Sequence, residues 1–366
     1  MTPNATTSAS ATFFRTARGK TLIGLAAATG IVLILTIFAL LRDARLSASD
    51  FVRAPVFPNL AVQLADAASV SIAAKTGTIE IVHSGDVKTG RWVVPTAHGY
   101  PASIEHLRRL FLGLADLEAV EKKTARPDWF GALSLDDPKT GGSAIAVTVK
   151  DSKGDALAAL LVGKLKPPTP GGRPMVYIRR TGENQTYLAA GDLPLETERK
   201  AWLDDRVVDI ARDRVKRVTV APSDAAAYSV SRVKPDQPDF TLDNIPKGRE
   251  PLSNAAANPT GAAAVDLTLD DVRPASEVDF SKASHFTIET FDGLTAALDV
   301  TDKDELTYIR VTAQGQGADA AKEADAINAR LRGWAYAVPS WKATIFRKPL
   351  DQLLKSPEKP GKKPKE

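Results

Sequence analysis

Histidine side chains are the first candidates for chemistry in this 366-residue chain, because imidazole can act as a general base or as a metal ligand. The chain has four of them: His83, His98, His106 and His285. His98 and His106 are eight residues apart, and neither H-x-x-x-H nor H-E-x-x-H occurs. The spacing therefore predicts no metal site. A hydrolase would need His98, His106 or His285 to meet a carboxylate in a cleft.

Acidic pairs and the other reactive residue types form no recognisable catalytic pattern. Asp136-Asp137, Asp204-Asp205 and Asp270-Asp271 are sequence neighbours, and adjacent side chains point apart on a helix or a strand. The sequence contains no nucleophile elbow, phosphate-binding loop or dinucleotide fingerprint, and it has no cysteine. We therefore predict that the protein is not an enzyme, with no catalytic, cofactor-binding or metal-binding residue and no cofactor.

Two aromatic residues, Trp92 and Phe240, occupy matching places in alternating stretches of the chain. An aromatic ring can serve as a platform for a ligand when it is exposed, and it fills the core when it is buried. The alternation favours the core for both residues and leaves the platform as the alternative.

Residues 21–41 form the stretch on which the rest of the chain depends, because they carry no charge over their whole length. At about 1.5 Å per residue, a helix of this length spans about 30 Å, the thickness of the hydrocarbon core of a bilayer. We therefore predict a transmembrane anchor. The alternative is a cleaved signal peptide, but its apolar region usually covers only about 7–15 residues and precedes a small-x-small site. The residues after 41 contain no convincing site of this kind.

Basic residues on the two sides of this stretch indicate its orientation. Arg15, Arg18 and Lys20 precede it, whereas Arg42 and Arg45 follow it with an aspartate between them. By the positive-inside rule, the first flank stays in the cytoplasm. We expect a single-pass membrane protein whose N-terminus is cytoplasmic and whose bulk lies on the opposite side.

The charge distribution argues against nucleic acid as a partner. The chain carries a formal charge of +4, but residues 46–354 hold 38 basic against 41 acidic side chains. The basic excess therefore belongs to the two ends of the chain. A nucleic-acid-binding surface would need clustered Lys and Arg on the folded body.

Composition and patterning divide the chain into six parts. They are a cytoplasmic tail (1–20), the anchor (21–41), a linker (42–65), a first α+β unit (66–213), a second α+β unit (214–355) and a disordered Lys/Pro-rich tail (356–366). The predicted fold class is α+β: a transmembrane helix followed by two tandem repeated units with mainly antiparallel sheets.

Short patterns that recur in the same order support an internal duplication. The matched pairs are Val70–Ile72 with Val218–Val220, Ile79–His83 with Tyr228–Arg232, Trp92–Val94 with Phe240–Leu242, Leu110–Leu117 with Val265–Val272, Ile145–Val147 with Phe286–Ile288, Tyr177–Arg179 with Tyr308–Arg310, and Tyr187–Ala189 with Tyr336–Val338. The alternative is two unrelated α+β halves that share generic patterning.

Three helices are predicted within the two units. Apolar residues at helical spacing, including Ile104, Leu107 and Leu110, predict an amphipathic helix over Ala102–Leu117. A second helix is predicted over Glu196–Ile210, at the end of the first unit. A third, over 317–332, has no counterpart in the first unit.

The first unit resembles a known bacterial family. The residues that carry the resemblance are Arg91-Trp-Val-Val-Pro95, the helix Ala102–Leu117, Phe130-Gly-Ala-Leu133, Asp137-Pro138, Ala144–Val149, Leu161-Val-Gly163 and Val176-Tyr-Ile178. They are similar to an uncharacterised family of domains of unknown function, often encoded beside gliding-motility-type ABC transporters. The resemblance covers most of 66–213 and, more faintly, 214–355. Gly131-Ala-Leu-Ser-Leu135 departs from the Gly-Leu of the family.

The resemblance implies one N-terminal transmembrane helix and an extracytoplasmic body, and it transfers no catalytic residue. We expect a periplasmic binding or scaffold protein, held in the bacterial inner membrane by residues 21–41 and accessory to an ABC-type, gliding-motility-like transport system. Subunits of that transporter are the expected partners. The alternatives are a cell-envelope glycan or lipid binding module, which would use a cleft between the units, and an envelope hydrolase.

Overall fold

A computed structural model describes residues 29–37, 51–85, 90–167 and 172–356. The tail 1–20, most of the predicted anchor 21–41, residues 42–50 of the linker and residues 357–366 lie outside the described residues. Residues 29–37, within the predicted anchor, are helical. Among the helices in the described ranges, none is long and apolar enough to cross a membrane.

The first sheet has ten strands, and every pair of neighbours is antiparallel. Its strands are β1 (Ala54–Pro55), β2 (Ala67–Ala74), β3 (Gly77–Ser84), β4 (Arg91–Val94), β5 (Tyr100–Pro101), β6 (Glu118–Lys122), β7 (Ile145–Asp151), β8 (Ala156–Lys166), β9 (Met175–Arg180) and β10 (Thr186–Ala190). Their order across the sheet is β1-β6-β10-β9-β8-β7-β2-β3-β4-β5. Alternation places one side of each central strand in the core, as with Val70 and Ile72 of β2.

The second sheet has eight strands and is also antiparallel throughout. Its strands are β12 (Val215–Ala221), β13 (Tyr228–Ser231), β14 (Thr241–Leu242), β16 (Asp271–Pro274), β17 (Ser284–Thr290), β18 (Leu294–Lys303), β19 (Leu306–Gly315) and β20 (Trp334–Ala337). A separate two-stranded ladder joins β11 (Arg206–Val208) to β15 (Leu267–Thr268). The predicted α+β class with mainly antiparallel sheets is confirmed.

The two sheets have the same strand order. Eight neighbouring strands of the first sheet run β6-β10-β9-β8-β7-β2-β3-β4, and the second sheet runs β16-β20-β19-β18-β17-β12-β13-β14. Each strand of the second sheet thus corresponds in position to the first-sheet strand whose number is ten lower, for example β12 to β2.

Strand pairing defines which residues take equivalent places in the two sheets. Trp92 faces His83 across β3 and β4, and continuing the β13–β14 register puts Phe240 opposite Arg232. Trp92 and Phe240 thus take corresponding positions in these two strand pairs. One predicted match is wrong by two residues. Ile288, which the sequence pattern matches to Val147, pairs with Val218. In the first sheet, the residue that pairs with Val70 is Val149 rather than Val147.

Helices cover the inner faces of the sheets. They are α1 (Leu60–Gln63), α2 (Ile104–Ala115), α3 (Asn258–Gly261), α4 (Ala318–Leu331) and α5 (Ser340–Phe346). The side chain of Ser103 caps α2 by accepting the His106 N–H at 3.3 Å, and Leu107, Leu110 and Leu114 bury one face of the helix. The helix predicted over Ala102–Leu117 is confirmed as α2, and the helix predicted over 317–332 is confirmed as α4.

One helix prediction is wrong, and one match of the predicted duplication joins unlike elements. Glu196–Ile210 contains only a short 3-10 turn, Arg199–Trp202, and strand β11. Its backbone makes long-range hydrogen bonds in place of a helical ladder: the Ser103 N–H donates to Trp202 O at 2.9 Å, and the Ile210 N–H donates to Ala264 O at 3.1 Å. Val265–Val272, matched to the end of α2, contains β15 and part of β16. Its apolar residues alternate, which is the period of a strand rather than of a helix.

One hydrophobic core continues from the first sheet into the second. At the junction, the Tyr100 ring meets the edge of Trp334 at a centroid distance of 5.1 Å and of Tyr336 at 6.0 Å. Tyr100, Tyr336 and Trp202 are fully buried there. The junction between the sheets is therefore filled by aromatic side chains.

The two faces of α2 should differ in their contribution to stability. Leu110→Ala, on the buried face, should lower the free energy of unfolding by about 2–5 kcal/mol, because it leaves a cavity in the core. Leu112→Ala is the matched control on the exposed face and should change it by less than about 0.5 kcal/mol. Denaturant unfolding of the full chain in detergent measures both, and equal losses would contradict the orientation of α2.

Candidate functional site

The polar network around His106 is the arrangement that most resembles catalytic machinery. His106 lies in the first turn of α2, and its Nε2 is 2.7 Å from Glu196 Oε2. Its Nδ1 is 3.0 Å from a guanidinium nitrogen of Arg109, one turn further along the helix. The imidazole also meets the ring of Trp202 edge-on, at a centroid distance of 4.5 Å.

Both ring nitrogens of His106 are occupied, and their partners fix the tautomer. Arg109 can only donate, so Nδ1 must accept, and Nε2 then carries the proton that it donates to Glu196. Burial alone would raise the pKa of Glu196, but the hydrogen bond from His106 and the charge of Arg109 outweigh it and lower the pKa. The network therefore fastens α2 to the segment before Trp202 and leaves no nitrogen free to take a proton from a substrate.

A polar cavity of about 490 Å³ adjoins this network. Its lining includes Glu105, Arg109, Glu198, Lys200 and Asp205. Lys200 already forms an ion pair with Asp270, which directly precedes β16 of the second sheet. His106 also lines the cavity, but no Trp, Tyr or Phe side chain does, and Trp202 nearby is fully buried. The cleft with convergent aromatic and polar groups that a glycan-binding module would need is thus not formed at this junction.

The other histidines lie apart from His106, each with its own neighbour. His98 is 3.6 Å from Glu277, His285 is 2.8 Å from Asp299, and His83 meets Trp92 edge-on at 5.4 Å. Across the ranges that the structure describes, no three His, Asp or Glu side chains are grouped so that they could hold a metal ion. Of the three histidines named for a hydrolase, His106 meets a carboxylate beside a cavity with both ring nitrogens engaged, whereas His98 and His285 pair with carboxylates elsewhere.

An apolar groove on the first unit is a different kind of candidate. A cavity of about 340 Å³ lies between α1 and α2. Its lining is Ala61, Leu64, Trp92, Ile104, Leu107, Arg108, Phe111, Leu112 and Ala115. A second, more polar cavity of about 440 Å³ shares Leu64, Trp92 and Phe111 with it and extends to His83, Asp66 and Lys153. We call the two cavities together the Trp92 groove.

The exposed edge of α2 forms one side of the Trp92 groove. Ile104 is 49% exposed and Leu112 is 58% exposed, although both are large apolar side chains. Arg108 lies between them at the same helical spacing and lines the groove. Contiguous apolar side chains that remain in water are typical of binding surfaces.

Arg108 has no partner within the described ranges, where neither a hydrogen bond nor an ion pair involves its side chain. Its neighbour Arg109 is held by His106. Arg108 is thus an exposed guanidinium without an ion-pair partner in the described ranges, beside the apolar side chains of the first cavity, and the second cavity adds Asp66 and Lys153 to the groove.

Trp92 and its equivalent in the second sheet differ in what covers them. Phe240 is 1% exposed, and the backbone of α3 lies so close that a Cβ on Gly261 would meet its ring at 2.3 Å. Trp92 is only half-buried, against the edge of Phe111 at 5.8 Å, and it lines both cavities. The prediction of a core aromatic holds for Phe240, whereas Trp92 is part core and part open platform.

Sequence reasoning missed the groove because it assigned Ile104 to the buried face and left Leu112 out of the pattern. The signal was present: Leu112 falls on the same edge as Arg108 and Ile104, at i, i+4 and i+8. An apolar stripe that is wider than one face of a helix indicates a second contact surface.

The hydrogen bond between Glu196 and His106 should make stability depend on pH. Because the folded pKa of Glu196 is lowered, its contribution is present above the ordinary carboxylate range and is lost as the pH falls through the folded pKa. Glu196→Gln should cost about 1 kcal/mol near pH 7, and less as the pH falls towards 3. Denaturant unfolding over this range measures the difference. Glu198→Gln, in the same cavity, is the control, and an equal, pH-independent loss in both variants would contradict the network.

Comparison with known families matches residues 92–273 to the family described as "Domain of unknown function (DUF4340)". The match begins in β4, at Trp92, and ends in β16, so it includes most of the first sheet and continues into the second. No curated protein and no solved structure matches the chain. A domain of unknown function is thus found over residues 92–273, and to that extent the expected similarity to an uncharacterised domain family is confirmed.

Proposed function

We propose that this protein is a non-enzymatic binding or scaffold protein of the bacterial inner membrane. In this proposal residues 21–41 anchor it, its N-terminus is cytoplasmic, and its two-sheet body lies in the periplasm. There it acts as an accessory component beside an ABC-type, gliding-motility-like transport system.

The observation that carries the proposal is the Trp92 groove. It combines an exposed apolar edge with an unpaired guanidinium on a helix whose other face is fixed in the core. Such a surface favours association with another molecule, because its burial removes apolar area from water at about 25 cal/mol per Å². The His106 network supports the same reading, since its nitrogens are engaged within the fold.

We also infer that the two units arose by duplication. The shared order of eight strands supports this, as does the match of Tyr177–Arg179 to Tyr308–Arg310. In both sheets the arginine of that pattern lies over a phenylalanine ring, with Arg179 over Phe130 at 4.4 Å and Arg310 over Phe280 at 4.8 Å. Separate sequence profiles of the two units from many relatives should align with each other, and failure to align would contradict the duplication.

Purification from native membranes tests the proposed function. The tagged full chain, solubilised in mild detergent, should recover subunits of an ABC-type transporter. Leu112→Glu should abolish the recovery, because it places a charge on the apolar edge, whereas Val233→Glu, on an 84% exposed residue of the second unit, should not. Recovery of the protein alone would contradict the proposed function.

A further inference from the structure

We propose that the Trp92 groove binds an α-helix of a membrane-embedded partner, through an apolar stripe on that helix and a carboxylate that pairs with Arg108. This rests on the proposed function and adds the chemistry of the partner. Three features of the groove support it: the geometry of its exposed edge, the covered equivalent in the second unit, and its position along the chain.

The exposed edge of α2 has the geometry of a helix-packing ridge. Ile104, Arg108 and Leu112 follow each other at i, i+4 and i+8, which spans about 12 Å along the helix. Rows with this spacing pack into the grooves of a second helix. Ile104 and Leu112 would supply the apolar contact, and Arg108 between them would require a carboxylate on the facing helix.

The second unit shows how a helix covers this position. There the ring of Phe240 lies against the backbone of α3, where Gly261 leaves no room for a side chain, and it is 1% exposed although a cavity of about 300 Å³ adjoins it. In the first unit the equivalent Trp92 lines an open groove. A helix that presents a small residue to Trp92 would cover it as α3 covers Phe240.

The path of the chain places the groove near the membrane in the proposed topology. Leu60, the first residue of α1, follows Leu41 at the end of the predicted anchor by 19 residues. Even fully extended, these residues span at most about 70 Å. A tether of this length holds the groove within reach of the bilayer surface and raises the effective concentration of any helix there.

A helix fits the groove better than a lipid acyl chain does. An acyl chain is stabilised by enclosure of most of its surface, whereas both cavities are open to solvent. The test must therefore distinguish a lipid bound in the groove from a partner helix bound there.

Site-specific photocrosslinking in native membranes tests the proposal on the full chain. A photoreactive residue at position 112 should yield an adduct with a membrane protein. Its crosslinked peptide should be a helical segment with apolar residues at i and i+4 and an acidic residue on the same face. Arg108→Glu should lower the adduct yield about tenfold. Replacing the mapped acidic residue with lysine should restore it. Arg108→Gln, which removes the charge without reversing it, should also lower the yield and guards against misfolding.

The other outcomes separate the proposal from the proposed function. Three outcomes overturn the inference. They are a lipid adduct, an adduct with a second copy of this chain, and an adduct whose yield is unchanged in the Arg108 variants. If position 112 gives no protein adduct while the exposed position 341 captures a transporter subunit, the inference fails and the proposed function stands. If no position captures a subunit, both fail.

Discussion

The burial of Trp202 is the constraint on which the rest of the structure depends. Its indole N–H donates to the Glu196 carbonyl at 2.8 Å, and its own carbonyl accepts from Ser103 at the start of α2. The segment from Glu196 to Ile210 has no helical backbone ladder, so it depends on long-range hydrogen bonds such as this one. The same segment reaches the second unit, since Arg199 pairs with Asp271 at 2.6 Å. One buried side chain thus sets the position of α2 and joins the two units.

The fixed position of α2 explains why the Trp92 groove exists. Leu107, Leu110 and Leu114 must face the core, and the His106 network holds the first turn in place, so the edge with Ile104 and Leu112 has to face solvent. In the second unit a four-residue helix, α3, lies over the ring of Phe240, which is 1% exposed although a cavity of about 300 Å³ adjoins it. The two rings thus differ in exposure, since Phe240 is fully buried whereas Trp92 is only partly buried, and we propose binding at Trp92.

Much of the fold could be predicted from the sequence, because sheets and amphipathic helices follow from local periodicity. Such patterns correctly predicted the strands around Val70 and Val218 and helices α2 and α4. The segment from Glu196 to Ile210 could not, because its backbone partners, Ser103 among them, are distant in sequence. The groove was missed for a similar reason: whether Leu112 is buried depends on what packs over α2, and periodicity does not contain that information. The pairing of His106 with Glu196 spans 90 residues and left no local signal.

The central claim, that a partner in the periplasm covers the Trp92 groove, can be tested with single cysteines because the chain has none of its own. Leu112→Cys and the exposed control Val233→Cys would be labelled with a thiol reagent that does not cross the inner membrane, in intact cells and after purification. We predict that Val233→Cys labels at the same rate in both, whereas Leu112→Cys labels markedly more slowly in cells than after purification. Equal labelling of the two positions in cells would show an uncovered groove, and labelling of neither before lysis would place the body outside the periplasm. Either result would contradict the account.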